Sequence, residues 1–164
     1  MKKFNVAIVG ATGAVGEVLI ELLETREFPI DTLYLLASSR SAGTSLNFAG
    51  KRITVSAIDD FDFSQAHIGL FSAGGSVSAE YAPKAASAGC IVVDNTSHFR
   101  RDDDIPLVVS EVNPEAIGGY IERNIIANPN CSTMQMLVAL KPIHDAVGIE
   151  RINVAVGIER INVA

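Results

Sequence analysis

The stretch from Phe4 to Gly16 leaves this chain few folds to choose from. Phe4 to Val9 is a nearly continuous apolar run, the pattern of a strand buried on both faces. It runs directly into Gly10-Ala11-Thr12-Gly13-Ala14-Val15-Gly16, after which Val15, Leu19, Leu22 and Leu23 recur at helical spacing to about Thr25. Strand, glycine turn and helix in that order open a βα unit. Glycines there let the backbone bend sharply and approach a pyrophosphate, whose charge sits on the helix N-terminus. The spacing is Gly-x-x-Gly-x-x-Gly, one residue longer than the commonest dinucleotide fingerprint. A glycine-rich connection without a ligand is the other reading, and placement after the first strand favours the nucleotide.

The remaining sequence keeps alternating. Strands are predicted at Leu33–Ala37, Ile68–Phe71, Ile91–Val93, Leu107–Val109, Ile125-Ile126 and Ile149–Val154. Leu46–Ala49 and Arg52–Ser56, joined by Gly50-Lys51, read as a hairpin. Helices are predicted over Val77–Ala88, with Gly89 as the stop, and from Ser132 onward. Such alternation predicts an α/β fold, a mostly parallel sheet with helices on both faces. A length of 164 residues suits about one domain. Residues 147–155 and 156–164 both read VGIERINVA. A repeat of nine residues is far shorter than the ~20–50 of a solenoid unit, so 156–164 is expected to be an artefact of duplication.

Composition excludes several classes of function. Hydrophobic residues at 48% and charged residues at 20% rule out disorder. Thirteen Lys and Arg against 19 Asp and Glu give a net charge of −6, which argues against a nucleic-acid or anionic-membrane surface. No apolar run reaches the ~18 residues of a membrane span. Lys2 and Lys3 precede a stretch broken by glycines, which reads as strand and loop rather than a signal peptide. Two cysteines cannot build a disulfide framework or a Cys-rich zinc site, and a cytoplasmic, reducing location is the default. The three histidines lack metal-ligand spacing, and no metal site is expected.

Four further segments carry candidate chemistry. The second strand runs into Ser38-Ser39-Arg40, with no carboxylate to take a ribose 2′-hydroxyl. An arginine and two hydroxyls suit a 2′-phosphate instead, which favours NADP over NAD; a solvated loop cation is the alternative for Arg40. Ser72-Ala73-Gly74-Gly75 is a second glycine-rich strand-to-helix turn, either a cofactor loop or an ordinary connection. Asp94-Asn95-Thr96-Ser97-His98-Phe99-Arg100-Arg101 gives a cationic point in an acidic chain, either an anion site or a surface loop neutralised by Asp102-Asp103-Asp104. In Asn128-Pro129-Asn130-Cys131-Ser132-Thr133, Asn130 is a good cap and Cys131 falls at or beside a helix start. The positive end of a helix favours a nucleophilic thiolate. A small buried apolar residue is the bland reading of any lone cysteine, and is the one expected for Cys90.

Together, GATGAVG at 10–16, SSRSAG at 38–43, FSAGG at 71–75, DNTSHFR at 94–100 and NPNCSTMQ at 128–135 resemble the aspartate-semialdehyde dehydrogenase family. The resemblance covers residues 1–155. It implies a Rossmann-type, doubly wound NADP-binding domain over 1–130. Residues 131–155 would be the nucleophile helix and the first strand leading into an α+β catalytic and dimerisation domain, most of which is missing here. It also implies reduction of aspartyl 4-phosphate to aspartate 4-semialdehyde through a cysteine thioester. Lysine, methionine, threonine and diaminopimelate biosynthesis use that step. Cys131 would be the nucleophile, accompanied by Asn130, and Arg100 with Asn95 nearby would hold the substrate phosphate. Gly10, Thr12, Gly13, Ala14 and Val15 match the pyrophosphate loop, Ser38, Ser39 and Arg40 the 2′-phosphate site, and Ser72, Ala73 and Gly74 the second cofactor loop. The partners implied are a small-molecule substrate, inorganic phosphate and, for the whole enzyme, further copies of itself. The family's acid/base histidine and carboxylate-binding arginine match nothing here, so this chain alone is expected to be inactive. Acetylglutamyl-phosphate reductases share the chemistry, but their nucleophile segment reads Pro-Gly-Cys before an aromatic residue, unlike Asn130-Cys131-Ser132-Thr133. A nucleotide-binding module without turnover is the non-enzymatic alternative.

Overall fold

The computed structural model describes residues 2–153. Seven strands, β1 (Phe4–Val9), β2 (Ile30–Ala37), β3 (Ser45–Phe48), β4 (Lys51–Ala57), β5 (Ile68–Phe71), β6 (Ile91–Asp94) and β7 (Ile125–Ala127), form one sheet in the order β3-β4-β2-β1-β5-β6-β7. All neighbours run parallel except β3 and β4. The sheet grows outward in both directions from β1, so chain order reverses between β1 and β5. Crevices at such a reversal, beyond the carboxyl ends of the strands, are where open α/β sheets hold ligands.

Strand alternation sorts the core into two layers. Val6 and Ile8 of β1 join Leu33 and Leu35 of β2 and Val55 of β4 against Ile20 of α1 (Ala14–Thr25). Ala7, Val9 and Leu36 face the other way, with Phe63 and Phe71, onto Ala82, Ala85 and Ala86 of α2 (Gly75–Ser87). Burial of β1 on both faces explains its unbroken apolar run. Small alanines on α2 let that helix lie close to the sheet. A third helix, α3 (Cys131–Val147), follows β7; none of its residues is fully buried, and Val138, Ile143 and Val147 are exposed.

Several elements differ from expectation for local reasons. The hairpin turns at Ala49-Gly50 rather than Gly50-Lys51: both residues have positive φ, 49° and 75°, and Phe48 pairs with Lys51. That is the left-handed pair a two-residue hairpin turn requires. Leu107–Val109 is no strand but a single parallel bridge, Leu107 to Ala127. The Pro106 carbonyl and Val108 N–H bond Ala127 of β7, while Asn113 takes the groups on the opposite edge, its Oδ1 accepting from the Val109 N–H and its amide donating to the Leu107 carbonyl. A side chain that occupies backbone groups in this way leaves that outer edge closed to a further strand. The segment then turns into a 3₁₀ helix at Pro114–Glu122. Ile149 to Asn153 likewise join no sheet, and the Ile149 N–H is taken by His144 Nδ1 at 3.2 Å. β-branched residues make a strand only where a partner edge accepts them, and the outer edge of β7 is already used by Pro106 and Val108. The second copy of the repeat, 156–164, lies outside the described residues.

One glycine fixes how α1 meets the sheet. Gly16 is buried, and a Cβ there would lie 2.2 Å from the Gly10 carbonyl oxygen. Gly16→Ala is therefore expected to destabilise the fold by about 1–3 kcal/mol, overpacking outweighing alanine's helical advantage of ~1 kcal/mol. The midpoint of urea unfolding measures this, and an unchanged or raised midpoint would contradict the close approach.

Candidate active site

Backbone geometry builds the first part of the site. Gly10 ends β1 with φ +90°, a conformation costly for other residues. A Cβ on it would lie 2.9 Å from the Ala73 nitrogen, so the turns after β1 and β5 touch across the crevice. Gly13 caps α1 and Gly74, at φ +99°, caps α2, each without a side-chain hydrogen bond. The first-turn N–H groups of both helices thus have no side-chain cap to satisfy them.

A cleft of about 450 Å³ lies over these turns, lined by Val9, Gly10, Thr12, Gly13, Ala37, Ser38, Arg40, Ile58, Ser72, Ala73 and Val77. Two loops predicted separately from sequence, 10–15 and 38–40, meet on it together with 72–74. Ala14 and Val15 stand at the start of α1, and Ser39 is exposed beside Ser38. Among the described residues no Asp or Glu lines the cleft, while Arg40 and Ser38 do. Glycine-lined backbone, two uncapped helix starts and one arginine fit a nicotinamide dinucleotide: an added Cβ at Gly10 would crowd the crevice floor, and the donors suit phosphate oxygens. Ile58 and Val77 are apolar walls that pattern reading missed. Ile58 opens a 3₁₀ turn after β4 and only the topology brings it beside β1.

The second part lies on the same sheet edge, after β6 and β7. Arg100 is half-buried; its Nε donates to the Asn128 carbonyl at 2.7 Å, and one terminal nitrogen donates to the Asn95 carbonyl at 3.1 Å. The Asn128 N–H donates to the Asp94 carbonyl, 2.9 Å. Arg100 thereby ties the turn after β6 to the turn leading to Cys131, and its other terminal nitrogen has no hydrogen-bond partner among the described residues.

Asn130 caps α3. Its Oδ1 accepts from the Ser132 N–H at 3.0 Å and the Ser132 hydroxyl at 2.7 Å, with the Cys131 thiol at 3.7 Å. Cys131 is the first residue of α3 and is exposed. Cys90 is its opposite: buried beneath the sheet, where burial pushes its thiol up to about 12. The histidines are spread out. His67 Nδ1 accepts from the Asn5 N–H, His98 packs edge-on against Phe99, and His144 meets Ile149. Among the described residues, no group of His, Cys, Asp and Glu could hold a metal, and no helix is long and apolar enough to cross a membrane.

Comparisons with known proteins agree with the fold. The family described as "Semialdehyde dehydrogenase, NAD binding domain" matches residues 5–120. Aspartate-semialdehyde dehydrogenase 2 of Vibrio cholerae is 68% identical over 150 residues, which are 92% of this chain and 44% of that protein. The crystal structure of the Vibrio cholerae enzyme II complexed with ASA superposes with a TM-score of 0.89 at 67% identity, over 91% of this chain and 49% of that one. The Candida albicans enzyme with NADP gives 0.73 at 30% identity, over 90% and 48%. The chain thus spans just under half the length of the relatives it matches.

The contrast between the thiols sets an expectation. At pH 8, a thiol held at about 12 is ionised in roughly one molecule in ten thousand, and only the thiolate reacts. Iodoacetamide should therefore modify Cys131 well before Cys90. Peptide mapping that found Cys90 alkylated first would refute this difference.

Proposed function

The chain belongs to the semialdehyde dehydrogenase family, and from that premise we propose that it carries the cofactor-holding and nucleophile part of an NADP-dependent reductive dephosphorylation. The substrate would be aspartyl 4-phosphate, and the products aspartate 4-semialdehyde and inorganic phosphate. The observation that carries this reading is Cys131, exposed at the first turn of α3 on the same sheet edge as the glycine-lined cleft and Arg100. The names of the relatives, and the NADP in the Candida albicans structure, support it.

Gly10, Thr12, Gly13, Ala14 and Val15 would take the pyrophosphate on the start of α1, and Ser72, Ala73 and Gly74 would approach it from the start of α2. Ser38, Ser39 and Arg40 would take the 2′-phosphate. Arg100, anchored on two carbonyls, would offer its remaining N–H groups to the substrate phosphate, with Asn95 beside it. The Cys131 thiolate attacks the acyl carbon, the C–O bond to phosphate breaks, and an acyl thioester remains on the sulfur. Asn130 fixes the turn that aims the thiol. NADPH, when bound, supplies the hydride that takes the thioester to the aldehyde level. The step would serve lysine, methionine, threonine and diaminopimelate synthesis, in the cytoplasm and in a homo-oligomer.

Among the described residues, the Cys131 thiol meets only Asn130 Oδ1, so no acid/base group stands against it. Missing general acid–base catalysis lowers rates by about 10²–10⁴-fold. The 164-residue chain is therefore expected to reduce NADP with aspartate semialdehyde and phosphate at least ~100-fold more slowly than the Vibrio cholerae relative. Turnover within tenfold would overturn that reading. Whatever turnover remains should vanish in Cys131→Ala, while NADP binding survives; residual activity in that variant would remove Cys131 from the mechanism.

Nucleotide choice is tested separately. A charge-assisted contact to phosphate is worth roughly 1.5–3 kcal/mol. Arg40→Ala should therefore weaken NADPH about tenfold or more and leave NADH nearly unchanged in fluorescence titration. Equal losses for the two nucleotides would rule out Arg40 as the 2′-phosphate group.

A further inference from the structure

Asp94 ends β6 and is wholly buried, as is Ser78 of α2; Thr96 is nearly so. Asp94 Oδ1 accepts from the Ser78 hydroxyl at 2.7 Å and the Thr96 N–H at 3.1 Å, and Oδ2 accepts from the Thr96 hydroxyl at 2.8 Å. The Thr96 hydroxyl in turn accepts from the His98 N–H at 3.3 Å. Nothing in the mechanism above uses these groups. Yet a buried carboxyl has to be satisfied by specific donors, and these donors come from two different places. Ser78 lies one turn into α2, and its N–H donates to the carbonyl of Gly74, the helix cap that closes the second glycine-rich turn. Thr96 lies between Asn95 and Arg100. The Asp94 carbonyl takes the N–H of Asn128, ahead of the cysteine turn.

We infer that Asp94, with Ser78 and Thr96, is a positioning device that sets the Asn95–Arg100 turn against the start of α2, and so fixes where Arg100 presents its free N–H groups. The inference rests on the reading of Arg100 as an anion holder, and it adds residues that touch neither cofactor nor substrate. Of the turn's residues, Thr96 and Phe99 alone are buried, and its other ties are the Asn95 N–H to the Phe71 carbonyl at 2.9 Å and the two Arg100 bonds. Loss of the Thr96 hydroxyl removes two hydrogen bonds at once and leaves Arg100 in place but less well aimed. Ordering a charged group before it meets an anion is where such a device gains affinity.

Thr96→Val and Thr96→Ser in the full chain test it, with inorganic phosphate and NADP as probes in calorimetry and amide exchange of residues 95–100 without ligand. Thr96→Val should weaken phosphate about tenfold, leave NADP within twofold, and speed exchange of the turn about tenfold relative to α1. Thr96→Ser, which keeps the hydroxyl, should restore all three to near the parent values. Ser78→Ala should speed exchange of the same turn. Exchange and phosphate affinity unmoved in Thr96→Val, or equally impaired in Thr96→Ser, overturns the positioning role. Absence of phosphate binding in the parent chain, with exchange still accelerated in Thr96→Val and restored in Thr96→Ser, upholds the positioning role and removes the anion reading of Arg100 instead.

Discussion

Close backbone contact at Gly10 is the constraint on which the rest of this molecule hangs. The residue is pressed from one side by Gly16 of α1 and from the other by Ala73 at the end of β5. Neither approach tolerates a Cβ. Because they hold, α1 lies low on β1, and the turns after β1 and β5 close into one floor at the point where strand order reverses. Two helix starts capped by glycine then face the same crevice. Helix starts without side-chain caps leave N–H groups that a phosphate can satisfy, and the aligned peptide dipoles favour the negative charge. The cofactor reading is thus a consequence of packing before it is one of side-chain chemistry.

Hydrogen bonds rather than ion pairs hold the second half of the edge. The salt bridges among the described residues, such as Lys84–Glu80, are exposed pairs that contribute little. Arg100 is instead spent on two backbone carbonyls, and Asp94 on two hydroxyls and one N–H. Arg100 therefore joins the turns after β6 and β7, and Asp94 joins the turn after β6 to α2. The cationic point in an acidic chain is placed by its own neighbours, and among the described residues no carboxylate pairs with it.

The two thiols show how place decides chemistry. Cys90 and Cys131 are the same residue type, both near a strand or helix boundary in sequence. Cys90 is enclosed by the α2 side of the core, where its thiolate is strongly disfavoured. Cys131 stands in solvent at a helix start, with a capping amide beside it. The apolar face of α3 is left with no fully buried residue, and open clefts of about 350 and 470 Å³ run along it.

Periodicity alone determined the alternation of strands and helices, because a strand buried on both faces and a helix buried on one leave distinct apolar patterns. Phe4–Val9, Ile68–Phe71 and the end of α1 at Thr25 stand where the pattern puts them. The glycine turns and the Asn130 cap were legible too, since each depends on residues adjacent in the chain. What failed was what depends on distant partners. Leu107–Val109 has strand composition, but β7 meets it only at the Leu107–Ala127 bridge; Ile149–Asn153 has it as well, but no edge receives it. Ile58 and Val77 reach the cleft, and Ser78 reaches Asp94, only because the sheet order brings β4, β5 and β6 into place around β1. Strand order is set by the summed burial of two core layers, a property of the whole chain that no local stretch of sequence carries.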